Sequence, residues 1–122
     1  MVPGVSKWKY MDVSNIHDIS ETHEEGWEYE ETVDDDFGYA IIIPAGCERV
    51  GVTVLWDDGT YTVQATTDGI NRVKTDTNGC TWVDWDLGSA LAANAQDMTK
   101  SCVTAIRLVS VGGASTIFVN AK

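Results

Sequence analysis

The segment Trp82-Val83-Asp84-Trp85-Asp86 is the part of this chain best equipped to hold a small ligand. An indole can stack on a sugar ring while a neighbouring carboxylate accepts hydrogen bonds from its hydroxyls. Trp82, Asp84 and Trp85 are therefore candidate ligand contacts. A structural reading competes with this one. The odd spacing of the two tryptophans puts their rings on opposite faces of a strand, so they cannot form one platform. One ring would then sit in the core while the other covers it or meets a neighbouring subunit. The structural reading is the favoured one.

The other groups capable of chemistry are scattered. His17 and His23 are the only histidines. Their spacing is not one that metal sites use, and solvated surface side chains are expected. No resident metal or other cofactor is expected. The pairs and runs Asp34-Asp35-Asp36, Asp57-Asp58 and Asp84/Asp86 do not match a calcium loop, although they leave incidental calcium open. Asp57-Asp58-Gly59 reads more economically as a turn. No nucleophile elbow, no cysteine paired with a histidine and no phosphate-cradling glycine loop is present, so an enzyme is not expected. Cys47, Cys80 and Cys102 are odd in number and lack a CxxC spacing. Small buried thiols are expected, with one disulfide as the alternative.

The 122 residues suit one domain, and their net charge of −11 excludes whole classes of partner. Phosphate backbones and anionic membranes repel such a chain, so neither nucleic acid nor membrane is expected as a partner. A basic protein surface would attract it. The charge is uneven. Residues 1–36 hold eleven acids against Lys7 and Lys9, a net of −9, and residues 37–122 hold eight acids against six bases, a net of −2. This split marks an acidic N-terminal arm, residues 1–36, beside a compact body, residues 37–122. No apolar leader opens the chain, and the run from Tyr39 to Ile43 is too short to span a bilayer.

The elements that must position these residues read as β. Val50, Val52, Val54 and Trp56 are apolar at spacing two, and Tyr61, Val63 and Ala65 repeat the pattern beyond Asp57-Asp58-Gly59. The two runs predict a hairpin. A second hairpin is predicted for Val103 to Ser110 and Ser115 to Ala121 around Gly112-Gly113. Phe37 to Ile43, Ile70 to Lys74 and Cys80 to Asp86 are further candidate strands, and Gly26 to Val33 is a candidate edge strand. Ser89 to Lys100 reads as a short helix or an ordered loop. Together they predict an all-β fold, an antiparallel β-sandwich or jelly roll with an extended acidic N-terminal arm. Arg107 points away from the face of Ile106 and Leu108 and is expected to pair with an acid across the sheet or a subunit boundary.

The strings Tyr61 to Thr67, Thr81 to Gly88 and Val103 to Ser110, followed by a glycine turn and a short last strand, resemble small virion structural proteins of tailed bacteriophages. The resemblance covers about residues 39–122. It rests on strand patterns, not on catalytic signatures. It implies a decoration, or cement, protein on the outer capsid surface of the virion, made in the host cytoplasm. It implies as partners the major capsid protein and neighbouring copies, with a homotrimer as the expected assembly. On this reading Trp8, Tyr10, Trp27, Tyr29 and Arg107 are the expected capsid or subunit contacts, and removing residues 1–36 is expected to abolish attachment. Related sandwiches occur in tail and fibre components. Thr66-Thr67-Asp68-Gly69 and Ile106-Arg107-Leu108 also match the outline of galactose-binding-type sandwiches, which keeps a carbohydrate- or receptor-binding module as the alternative.

Overall fold

A computed structural model describes residues 6–14, 26–85, 90–99 and 103–122. Strand β1 is Trp8–Tyr10, β2 Asp12–Ser14, β3 Gly26–Asp34, β4 Ala40–Ile42, β5 Val50–Trp56 and β6 Thr60–Thr66. Helix α1, Ile70–Thr75, leads through a 3-10 turn at Thr77–Gly79 to β7, Val83–Asp84. Strands β8, Ala95–Thr99, β9, Ala105–Val111, and β10, Ala114–Ala121, complete the chain. Two five-stranded sheets result. Sheet A has the order β1-β4-β9-β6-β7, and sheet B the order β2-β3-β10-β5-β8.

The topology is that of a jelly roll. The last eight strands pair as an antiparallel ribbon: β3 with β10, β4 with β9, β5 with β8 and β6 with β7. Successive rungs of this ribbon fall in opposite sheets. Wrapping it round the core brings β10 beside β5 and β9 beside β6. β1 and β2 extend the two sheets at one end, β1 parallel to β4 and β2 antiparallel to β3.

Period-two patterning decides which side of each strand is buried. Val50, Val52 and Val54 point inward from β5, and Ile117, Val119 and Ala121 from β10, each almost without exposure. They meet Val63, Ile106 and Leu108 from sheet A across the main core. Each such aliphatic side chain contributes about 1.5–3 kcal/mol by leaving water. A second, smaller core lies on the outer side of sheet A. There Val73 of α1 and Cys80 pack on Ala40, Ile42 and Ala105. Sheet A is thus covered on both faces, whereas no described residue covers the outer face of sheet B.

Several local expectations are corrected. Neither predicted hairpin forms. β5 and β6 lie in different sheets, as do β9 and β10, and each glycine turn carries the chain across the sandwich. Ile70 to Lys74 is helical, not a strand. Ser89 to Lys100 contributes β8 and not a helix. The strand within Phe37 to Ile43 is confined to Ala40–Ile42, and that within Cys80 to Asp86 to Val83–Asp84. Gly26 to Val33 is not at an edge, because β3 lies between β2 and β10. The sandwich therefore takes in β1, β2 and β3, which the charge division placed in the arm. Removing residues 1–36 would take an interior strand away with them. Residues 1–5 and 15–25 of that segment, with His17 and His23, lie outside the described residues. So do Cys102, Lys100 and Asp86.

Candidate binding surface

Of the expected capsid or subunit contacts, Tyr10 shares one depression with Trp27 and another with Tyr29, whereas Arg107 is buried. Trp8 and Tyr10 come together on the edge strand β1, their rings edge-to-face with centroids 5.2 Å apart. Lys74 of α1 sits over both rings, 4.9 Å from Trp8 and 4.7 Å from Tyr10, and donates a hydrogen bond to the Tyr10 hydroxyl. Tyr10 is 55% exposed. Lys7 and Lys9 lie over the Tyr39 ring nearby. Lys7 also donates to the Phe37 carbonyl and stands 3.7 Å from the Asp36 carboxylate. The result is an aromatic and cationic corner on an otherwise acidic chain.

Trp27 and Tyr29 border this corner, each lining a depression with Tyr10. Both point inward from β3 and pack half-buried against the main core. The Tyr29 hydroxyl donates to Glu31 at 3.3 Å, and the Glu31 carboxylate also accepts the Tyr39 N–H at 3.2 Å. Burial raises the Glu31 pKa above the ordinary carboxylate value, partly opposed by these hydrogen bonds and by Lys7 and Lys9. Burial, then Glu31, raises the Tyr29 pKa. This pair ties β3 to the approach of β4.

Arg107 departs furthest from expectation. Only 7% of it is exposed, and its guanidinium is clamped between Trp82 at 4.2 Å and Phe37 at 4.6 Å. Its donors go to amides: Nε to Gln64 at 2.9 Å and an Nη to Asn78 at 3.2 Å. No acid pairs with it among the described residues. Burial lowers its pKa to about 10. Gln64 faces Asp84 across the β6–β7 ladder, and its amide nitrogen stands 3.4 Å from that carboxylate. Two neutral amides and two ring faces thus replace the expected counter-ion, and a cation held this way is unavailable as an exposed contact.

The tryptophan segment divides between the two cores. Trp85 is in the main core, with its indole N–H donating to Asp97 at 2.7 Å. Trp82 packs against the second core, covers Arg107 and donates to the Thr77 carbonyl at 2.9 Å. Asp84 is exposed on β7. The three do not converge on one site.

Sequence reasoning missed the outer face of sheet B. The registers place Asp12, Glu28, Asn120, Gly51 and Met98 in one row across all five strands. Glu30, Phe118, Thr53 and Gln96 form the next row. Two depressions lie on this face. One, of about 690 Å³, is lined by Lys9, Asp12, Glu28, Glu30, Phe118 and Asn120. The other, of about 590 Å³, is lined by Arg49, Thr53, Gln96, Asp97 and Met98, with Asn120 shared between the two. The signal was present in the sequence as the polar members of β3, β5 and β10, but only strand order sets them side by side.

Among the described residues no cluster of His, Cys, Asp and Glu could hold a metal ion. No described helix is long and apolar enough to cross a membrane. Comparison with protein-family models, curated proteins and solved structures returned no match.

Proposed function

We propose that this chain is a virion structural protein of the tailed-phage decoration type, attaching to the outer capsid surface as a homotrimer and performing no catalysis. The observation that carries the reading is the Trp8–Tyr10 pair at the sheet edge, in which the half-buried Trp8 supports an exposed Tyr10. Aromatic side chains are enriched at the centres of protein interfaces, where they bury large area at low entropic cost. Here they stand on the edge strand of sheet A, the side of a sheet open to a further partner. The resemblance of residues 39–122 to phage structural proteins and the jelly-roll topology, which occurs in capsid and lectin domains, support the same reading by analogy.

The test is co-sedimentation with heads assembled from the major capsid protein encoded in the same genome. Saturable binding at a fixed copy ratio is expected, weakened at least tenfold by Tyr10→Ser. An absence of binding, or binding indifferent to Tyr10→Ser and Trp8→Ala, would overturn the reading. A carbohydrate- or receptor-binding module of a tail or fibre is the second reading. The uncovered face of sheet B favours it. The Trp82–Trp85 segment does not, because Trp85 belongs to the core.

A further inference from the structure

We propose that the outer face of sheet B is a binding cleft for a neutral oligosaccharide. The inference rests on the second reading only in requiring a binding surface, and it holds whether the chain sits on a head, a tail or a fibre.

The lining is unlike the rest of the molecule in charge. The chain carries −11 overall. The two depressions bring together three carboxylates, from Asp12, Glu28 and Glu30, and three cations, from Lys9, Arg49 and Lys122, a net of zero. Where the protein elsewhere repels anions and attracts cations, this cleft does little of either. A near-neutral lining dense in both donors and acceptors complements a ligand that is uncharged and rich in hydroxyls.

The individual groups fit that ligand. Carboxylates accept from hydroxyl groups, and the side chains of Asn120 and Gln96 both donate and accept. Phe118 stands between Glu30 and Thr53 in the register, so its ring lies on the floor between polar neighbours. An aromatic floor ringed by a few polar groups is how proteins hold the apolar face of a sugar while reading its hydroxyls. The row from β2 to β8 crosses five strands, roughly 19 Å at the spacing of paired strands, which accommodates several linked rings.

Gly51 completes the argument. It lies at the centre of that row, between Asn120 and Met98. A Cβ placed on it would meet nothing within 4 Å. Its backbone is not in the left-handed region. Nothing in the fold requires a glycine there, and glycine weakens a strand interior. Its absent side chain leaves the middle of the cleft open.

The experiment uses the full chain on an array of neutral hexose and N-acetylhexosamine oligosaccharides, followed by calorimetric titration with the best-bound member. Binding is expected to weaken at least tenfold in Asn120→Ala. It is also expected to weaken at least tenfold in Gly51→Ile, which should melt no lower than the parent. Gly51→Ile separates the cleft from folding, because it fills the site while suiting the strand. Failure of every neutral oligosaccharide to bind at millimolar concentration would overturn the proposal. So would binding that survives both substitutions, or capture of a lysine-rich peptide in place of any glycan. Head co-sedimentation is a separate measurement, so the two readings fail independently.

Discussion

Gly59 and Gly113 touch backbone to backbone: a Cβ on Gly59 would stand 2.6 Å from the Gly113 nitrogen, and one on Gly113 would stand 2.5 Å from the Asp58 carbonyl carbon. These residues belong to the two turns that carry the chain between sheets. Because β5 pairs with β10 and β6 with β9, the turns lie side by side and close one end of the sandwich. Trp56 braces the first, its indole N–H donating to the Gly59 carbonyl at 2.8 Å.

Gly59→Ala and Gly113→Ala should therefore destabilise the fold, Gly59→Ala the more because its φ of 68° is left-handed. A loss of at least about 2 kcal/mol is expected for Gly59→Ala. Gly112 has a φ of 77° but open space around it, so Gly112→Ala should cost only about 1 kcal/mol. Urea unfolding of the three variants checks the order. Equal losses at all three would mean that the turns do not press on each other.

The strands of this fold were legible in the sequence, and their partners were not. Val50, Val52, Val54 and Ile117, Val119 announce a buried side by alternation alone. That alternation is the same whether the next strand continues the sheet or crosses to the other one. Asp58-Gly59 and Gly112-Gly113 likewise serve a hairpin or a crossing turn, so both read as hairpins. α1 was hidden for a different reason. Ile70, Val73 and Thr75 are β-branched and favour strands, and tertiary contacts hold the helix: Val73 packs on sheet A and Lys74 reaches Trp8 and Tyr10. The surroundings of Arg107 follow from that miss, since Asn78 and Trp82 reach it only through the segment that α1 begins. The polar members of the sheet B face were legible as alternating positions, but their adjacency depended on strand order.

Arg107 makes an unusual substitution prediction. A buried cation with no carboxylate partner among the described residues sacrifices hydration for two amide hydrogen bonds and two ring faces. Arg107→Met fills the slot between Phe37 and Trp82 with apolar atoms and should change stability by no more than about 1 kcal/mol. Arg107→Lys keeps the charge but loses the planar fork and the stacking, and should cost about 2 kcal/mol or more. Thermal unfolding of the pair decides the matter. A conservative lysine that outperforms methionine would show that the charge itself is needed.

Glu31 sets a pH dependence. Burial raises its pKa in the folded chain, so the folded state holds this proton more tightly than the unfolded one. Its contribution to stability is fully present below the ordinary carboxylate value of about 4.3 and is lost as pH rises through the raised value. Glu31→Gln removes that loss and still offers an oxygen to the Tyr39 N–H and the Tyr29 hydroxyl. The stability of Glu31→Gln relative to the parent should therefore grow between pH 4 and pH 7. Denaturant titrations at those two values measure it, and a difference that is flat or of opposite sign would refute the assignment.

Asp97 points inward from β8, the edge strand of sheet B, and accepts the buried indole N–H of Trp85. A charged side chain turned inward on an edge strand discourages another strand from pairing there, because addition would bury the charge further. Asp97→Leu should act in two ways at once. It strands the Trp85 N–H, costing about 1–3 kcal/mol, and it removes the guard from the edge, so concentration-dependent self-association should rise. Asp97→Asn keeps an acceptor for Trp85 and discards only the charge. It should lose less stability than Asp97→Leu while sharing part of its tendency to associate. Chemical denaturation and light scattering on the same two variants separate the hydrogen bond from the charge.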